Sequence, residues 1–248
     1  INGPNTAPPA SMEDFETAGS DSYILRLARE LDDAILHLRL NEREAGLLLF
    51  RSQGDPAAFL EHEEQLRKNS GHWLANEVLV YWKRGLKRVD VTSRSMAALV
   101  EHGSCFAGLL AELLFSVDRT YMMEGEFEGD NRNIATIMLS SSNLGTMPMA
   151  NGLSRLATRF LGEPETLAAV EAAVGIPLDA DAVCLDKKLS GYLTHLITWI
   201  SDTGQACYTV CSKNSADSTP NESSSTMSFP ADGQKVWEPF VSYDLICE

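Results

Sequence analysis

Residues 93–123 read SRSMAALVEHGSCFAGLLAELLFSVDRTYMM, and the order of apolar runs and turns in this stretch decides the fold. Ser95, Met96, Ala97, Ala98, Leu99 and Val100 form a run long enough for one buried strand. At Glu101, His102, Gly103 and Ser104 a glycine and a serine permit a sharp turn. From Cys105 to Val117 the chain is apolar on nearly every face, broken by Gly108, Glu112 and Ser116, which predicts a buried helix. Asp118 and Arg119 close it, and Thr120 to Met123 resume as a strand. Such a unit aims backbone N–H groups and the positive end of a helix at one point, where an oxyanion or another anionic group is favoured. The same pattern also serves an ordinary βαβ crossover that holds no ligand.

Working outward, Ile24, Leu27, Leu31, Ala34, Ile35 and Leu38 fall at helical spacing and predict an amphipathic helix over 22–40, with Ser22 a candidate N-cap. Ala45 to Phe50 is a short apolar strand. Asp55 and Pro56 suit the N-cap and first position of a helix through residue 66. That helix carries Glu61, His62, Glu63 and Glu64, which read as a solvated acidic face rather than a metal cluster, because adjacent positions point in different directions. Trp73, Leu74, Val78, Tyr81, Trp82 and Leu86 make an aromatic and aliphatic core stripe. Lys83, Arg84, Lys87 and Arg88 are the one basic patch, suited to a helix C-terminus or to phosphate groups.

Downstream, residues 124–130 predict an acidic surface loop and 134–139 a strand. Helices follow over about 153–160 and from Pro164 to Gly175. Residues 1–21, rich in proline, glycine and small polar side chains, predict a flexible arm or linker. Residues 22–183 form the domain, and 184–248 a divergent tail. Within the tail, 189–199 predicts a helix, and the Ser/Thr/Asn/Asp-rich run 212–233 predicts disorder.

A formal charge of −15 over 248 residues argues against nucleic acid or an anionic membrane as a partner. No apolar stretch is long enough to span a bilayer, and no secretory leader is apparent. Cys105, Cys184, Cys207, Cys211 and Cys247 are an odd, uneven set, so a reduced, cytoplasmic protein is expected. Cys207 and Cys211 lack the further ligands of a zinc site. A start at Ile1 suggests a fragment or processed product.

The chain resembles the crotonase superfamily, the enoyl-CoA hydratases and their relatives. His102 to Gly108, Glu112-Leu113 and Asp118 follow that superfamily's order of glycine turn, helical glutamate and aspartate. Leu144-Gly145, Pro148, Gly152 and Arg155-Leu156 resemble its Leu-Gly-x-x-Pro-x-x-Gly-x-x-Arg-Leu segment. Residues 28–39, 88–95, 103–108, 148–156 and 177–182 are similar to the ring-opening benzoyl-CoA-dihydrodiol lyase branch. The resemblance implies an α/β fold with a crotonase-like ββα superhelix (spiral) core and peripheral helices. It implies an acyl-CoA thioester as substrate, no cofactor and no metal, and ring opening of epoxidised benzoyl-CoA with release of formate. It further implies two crotonase-like halves, this chain matching the second, with the catalytic half and a homodimer mate as partners. It ends near Val183, so an altered reading frame, splice or recombined terminus is expected for the tail.

Carried over residue by residue, the resemblance implies thioester or oxyanion contacts at Gly103, Gly108 and Gly145, and catalytic roles at Glu112, Cys105 and Ser141. The pattern is degenerate. Leu109 and Leu110 replace the usual consecutive glycines, Glu112 is displaced by one residue, and Ser141 stands where the superfamily has a second glutamate. A serine cannot act as a carboxylate base, which disfavours a plain hydratase or isomerase. Cys105 lacks a paired base, so its own residue context reads as a buried structural thiol rather than a nucleophile. Two functions from different classes follow: a lyase-like protein with a degenerate site, or a non-catalytic structural half that packs on a catalytic partner.

Overall fold

Parallel strands cannot be joined by a tight turn, so the connections between them must carry helices. The computed structural model describes residues 1–124 and 131–185, together with three short strands beyond them. At its centre β1 (Leu47–Arg51), β2 (Ser95–Val100) and β3 (Arg119–Met122) form a parallel sheet in the order β1-β2-β3. Phe50 lies opposite Ala98, and Leu99 opposite Tyr121. Burial alternates strictly along β1: Leu48 and Phe50 are inside, while Leu47, Leu49 and Arg51 are exposed. This parallel, helix-covered sheet is the expected α/β class.

The helix α2 (Tyr23–Leu40) forms where its period predicts, with Ile24, Leu27, Leu31 and Ile35 buried. It packs against α4 (Trp73–Asp90), and the Trp82 indole N–H donates to Ile24 O at 3.1 Å. Between them in sequence lies α3 (Pro56–Lys68), where the Asp55 carboxylate accepts from Ala57 N–H at 2.9 Å as an N-cap. The expected stripe on α4 holds for Trp82, but Trp73 is 64% exposed and donates to Glu16 instead.

The central helix α5 (Gly108–Ser116) begins later than its apolar composition suggests. Cys105, Phe106 and Ala107 precede the helix; Ala107 pairs with Met138, and Phe106 O accepts from Met138 N–H at 3.2 Å. At the far end, Asp118 ties β3 to β2, since its backbone and carboxylate both bond Met96. The expected strand over 134–139 is only β4 (Ile137–Met138), antiparallel to β5 (Pro177–Leu178). Two further helices follow the predicted segments, α6 (Arg155–Arg159) and α7 (Pro164–Ala172), and α8 (Ala180–Leu185) forms where no helix is predicted.

The expectation of a flexible arm over residues 1–21 is corrected. Helix α1 (Met12–Ala18) is capped reciprocally by Ser11 and Asp14, and Phe15 is 1% exposed in the core. Residues 1–3 run beside residues 51–53, and the His62 and Gln65 side chains bond Thr6 O and Pro9 O. One buried aromatic and a set of backbone pairings offset the ordering entropy that composition alone leaves unmatched.

In the tail, β6 (Thr198–Ile200), β7 (Gln205–Tyr208) and β8 (Met227–Ser228) form an antiparallel sheet. Thr198 and Trp199 are therefore in a strand, not in the expected helix over 189–199. Cys207 lies in β7, and β8 falls inside the run expected to be disordered. The rest of that helix and that run, Cys211, Cys247 and most of the 124–130 loop lie outside the described residues.

Candidate functional site

The N-terminus of α5 is the place where the sequence aims a helix dipole, and an anion is already there. The Glu63 side chain reaches across from α3, and Leu109 N–H donates to its Oε2 at 2.7 Å. Its Oε1 accepts from the Ser140 hydroxyl. Glu63 is 2% exposed. Gly108 makes the approach possible: at φ +46, a Cβ there would sit 1.7 Å from Glu63 Oε2. The reading of Glu61 to Glu64 as one solvated acidic face is thus half wrong. Glu61 is exposed, but His62 and Glu63 lie with Phe59 and Leu66 on the buried side of α3.

One turn along α5, Glu112 is 1% exposed and fully engaged. Arg155 Nη1 donates to its Oε2 at 2.6 Å, and the Asn143 amide donates to its Oε1 at 2.7 Å. Arg155 also grips Asp90 through two parallel bonds of 2.9 and 2.7 Å and donates to Met147 O. Burial holds the Glu112 carboxyl above its ordinary value, and the Arg155 charge and the Asn143 amide offset this only in part. Asn143 also donates to Gly108 O at 2.9 Å. The segment from Ser140 to Arg155 is thereby fastened to α5 by charge and hydrogen bonds. At the other end of α5, the Arg159 guanidinium donates to Phe115 O and Val117 O. An anion at the N-terminus and a cation at the C-terminus complement the macrodipole.

Cys105 is wholly buried; its backbone N–H donates to Ser52 Oγ at 3.0 Å. Burial pushes its thiol up, outweighing the hydrogen bond from Ser52, and so disfavours the nucleophilic thiolate. Ser141 is exposed in a 3₁₀ turn.

Gly103 takes φ +76, and both its backbone groups are engaged: its N–H donates to Asn133 O and its carbonyl accepts from Gly54 N–H, each at 2.8 Å. A cleft of about 490 Å³ opens beside it, lined by Gly54, His102, Ser104 and Arg132 among others. Gly108, Glu112 and Gly145 are not part of that lining. The structure therefore brings Gly108, Glu112 and the turn at Ser140 together, and it does not bring Gly103 and Gly145 into one pocket. In the basic patch, Arg84 and Arg88 both pair with buried Asp32 on α2, and Tyr81 OH donates to the same carboxylate. Among the described residues no cluster of His, Cys, Asp and Glu could hold a metal, and no helix is long and apolar enough to cross a membrane.

No family model matches the chain. Benzoyl-CoA-dihydrodiol lyase of Aromatoleum evansii is 39% identical over 175 residues, covering 71% of this chain and 31% of that protein. The chain spans about a third of the length of the relative it matches. The solved structure of Pseudomonas aeruginosa AtuE superposes with a TM-score of 0.47 at 18% identity, covering 72% of this chain and 62% of that one.

Proposed function

From its kinship with benzoyl-CoA-dihydrodiol lyase, we propose that this chain is the non-catalytic, structural half of a lyase-type protein. The parent acts on a ring-epoxidised benzoyl-CoA, opening the ring with loss of formate, and needs no bound cofactor. This half packs against a catalytic crotonase-like half, in the cytoplasm, and lends it shape rather than chemistry.

One observation carries the reading: the Glu63 carboxylate sits at the N-terminus of α5. An oxyanion needs N–H donors aimed at the position where its charge develops. Here Leu109 N–H already serves a fixed negative charge of the protein's own. A thioester oxygen would have to displace a hydrogen-bonded carboxylate that has no water to move into. Glu112, the other group needed for proton transfer, is held by Arg155 and Asn143.

The test is a thermal unfolding series with benzoyl-CoA. A ligand at about a hundred times its Kd stabilises the folded state by ~2.7 kcal/mol, which moves the midpoint by several degrees. The expected result is a flat midpoint up to millimolar thioester. A rising midpoint would return the chain to the class of thioester-binding enzymes.

A further inference from the structure

Polar groups shut away from water are nearly always hydrogen-bonded, so a buried donor without an acceptor calls for a reason. Arg94 carries one. Its side chain is half-buried, and its Nε is closed off from solvent and meets no acceptor. Its Nη1 donates to the neighbouring Ser93 O at 2.9 Å. The surroundings are the two segments that lead into the sheet, residues 41–46 before β1 and 91–94 before β2. They are clasped where Ser95 N–H donates to Gly46 O at 3.1 Å. Between them opens a hollow of about 510 Å³, lined by Arg43, Gly46, Thr92, Ser93, Arg94 and Ser95. Two guanidinium groups therefore share a lining that has no carboxylate. Arg43 is exposed and makes no ion pair among the described residues. Nearby acids are turned elsewhere: Glu42 pairs with His37, Asp90 with Arg155, and Asp118 accepts from Met96 N–H. Glu44, beside Arg43 in sequence, is exposed and outside the lining. The C-terminal poles of α2 and α4 face this end of the sheet, each with about half a negative charge. Arg39 serves the first in its last turn, and Lys87 and Arg88 the second. Even taken in full, the two poles offset about half of the charge on Arg43 and Arg94.

We propose that this hollow is an anion site for a phosphate group, free or carried by a small monoester. A guanidinium fork suits carboxylate and phosphate alike, and the donors on hand decide between them. A carboxylate presents two oxygens in one plane and engages one fork. Phosphate presents oxygens on every side, enough for both guanidinium groups and for the hydroxyls of Ser93 and Ser95. Neither hydroxyl makes a hydrogen bond among the described residues. The Thr92 hydroxyl donates to Arg88 O at 2.8 Å and serves as wall. A nucleic-acid strand does not fit, since two cations on a chain of charge −15 hold one phosphate and not a run of them. The hollow is separate from the α5 N-terminus, which lies beyond the far end of the six-residue strand β2, about 17 Å away.

Titration calorimetry with inorganic phosphate, in chloride buffer of constant ionic strength, tests the site. The expected result is saturable binding with Kd at or below about 1 mM. A charge-assisted hydrogen bond is equivalent to about tenfold or more in affinity, so Arg94→Gln should weaken binding by at least that factor and Arg43→Gln severalfold. Lys83→Gln, which removes a charge elsewhere on α4, should leave it unchanged. If Arg94→Gln disturbs the fold, Arg94→Lys keeps the charge without the fork and should also bind more weakly. Heat that does not saturate by about 20 mM phosphate overturns the proposal. So does unchanged affinity in the Arg43 and Arg94 variants, which would mean diffuse screening. Glycerol phosphate, titrated alongside, separates the sources: tighter binding than phosphate assigns an ester and weaker binding the free ion, and each upholds the site. Benzoyl-CoA also carries phosphate groups. A midpoint shift with it that survives Arg94→Gln arises at α5 and bears on the scaffold reading, while one lost with Arg94→Gln belongs to this hollow.

Discussion

Replacing Gly108 with alanine puts a methyl carbon 1.7 Å from Glu63 Oε2, well inside contact distance. The carboxylate must swing away and release Leu109 N–H and the Ser140 hydroxyl. Hydrogen bonds to a charged group contribute about 1.5–3 kcal/mol each, so the pair is worth on the order of 4 kcal/mol. A left-handed backbone at an L-residue adds about 1–2 kcal/mol. The Gly108→Ala chain should therefore lose on the order of 5 kcal/mol, close to the whole stability of a marginal domain. Glu63→Ala alone removes the same two bonds and should cost on the order of 4 kcal/mol. In that background the added methyl meets no carboxylate, and Gly108→Ala should cost only the ~1–2 kcal/mol of backbone strain. Urea unfolding of the four chains measures the coupling directly, with about 4 kcal/mol expected, the value of the two bonds that both substitutions remove. If Gly108→Ala alone does not fold, recovery of folding in the double variant reads the same coupling. Costs that add to within ~0.5 kcal/mol would refute the claim that Glu63 occupies this helix end.

The Arg155 cluster gives a second expectation. Arg155→Ala strands Glu112 and Asp90 as buried charges and should cost about 3–5 kcal/mol in urea unfolding, with Arg155→Lys recovering part of it. A loss under 1 kcal/mol would mean that the cluster is solvated. The third concerns pH. His62 Nε2 donates to Thr6 O at 2.9 Å, and burial holds its imidazole below the ordinary 6.5, with the Thr6 bond opposing. Its folded value is depressed, so its contribution to stability is present above pH 6.5 and is lost as pH falls through the folded value. Amide exchange over residues 4–10 should accelerate between pH 7 and 5 beyond the intrinsic change, and a His62→Gln chain should lack that excess. Equal excess in both chains would assign the effect to another group.

Much of the fold was legible because it is local. The period of α2, the apolar runs of β1 and β2, and the Asp55-Pro56 start of α3 are each written within a few residues. The site was less legible because its contacts are long-range. Glu63 stands between Glu61 and Glu64 and looks solvated, yet its partners are 46 and 77 residues away in sequence. A signal was present: Phe59, His62, Glu63 and Leu66 fall at i, i+3, i+4 and i+7, which places the carboxylate in an apolar stripe. The resemblance led to Glu112 but not to its locking partner, since Arg155 reads as part of a loop motif until the fold closes. The N-terminal segment was misread for the same reason, because composition does not disclose that a backbone partner waits at Arg51 and Gln53.

Arg159 and Glu63 quench the poles of α5 from inside the molecule. A helix so neutralised projects little field, and a charged solute approaching the domain would feel no pull toward its hub. Its rigidity and its silence would then have one origin. Loss of the Glu63 carboxylate would unmask the pole only at a cost that takes up most of the stability of a marginal domain, so the same side chain that hides the helix end also holds it in place.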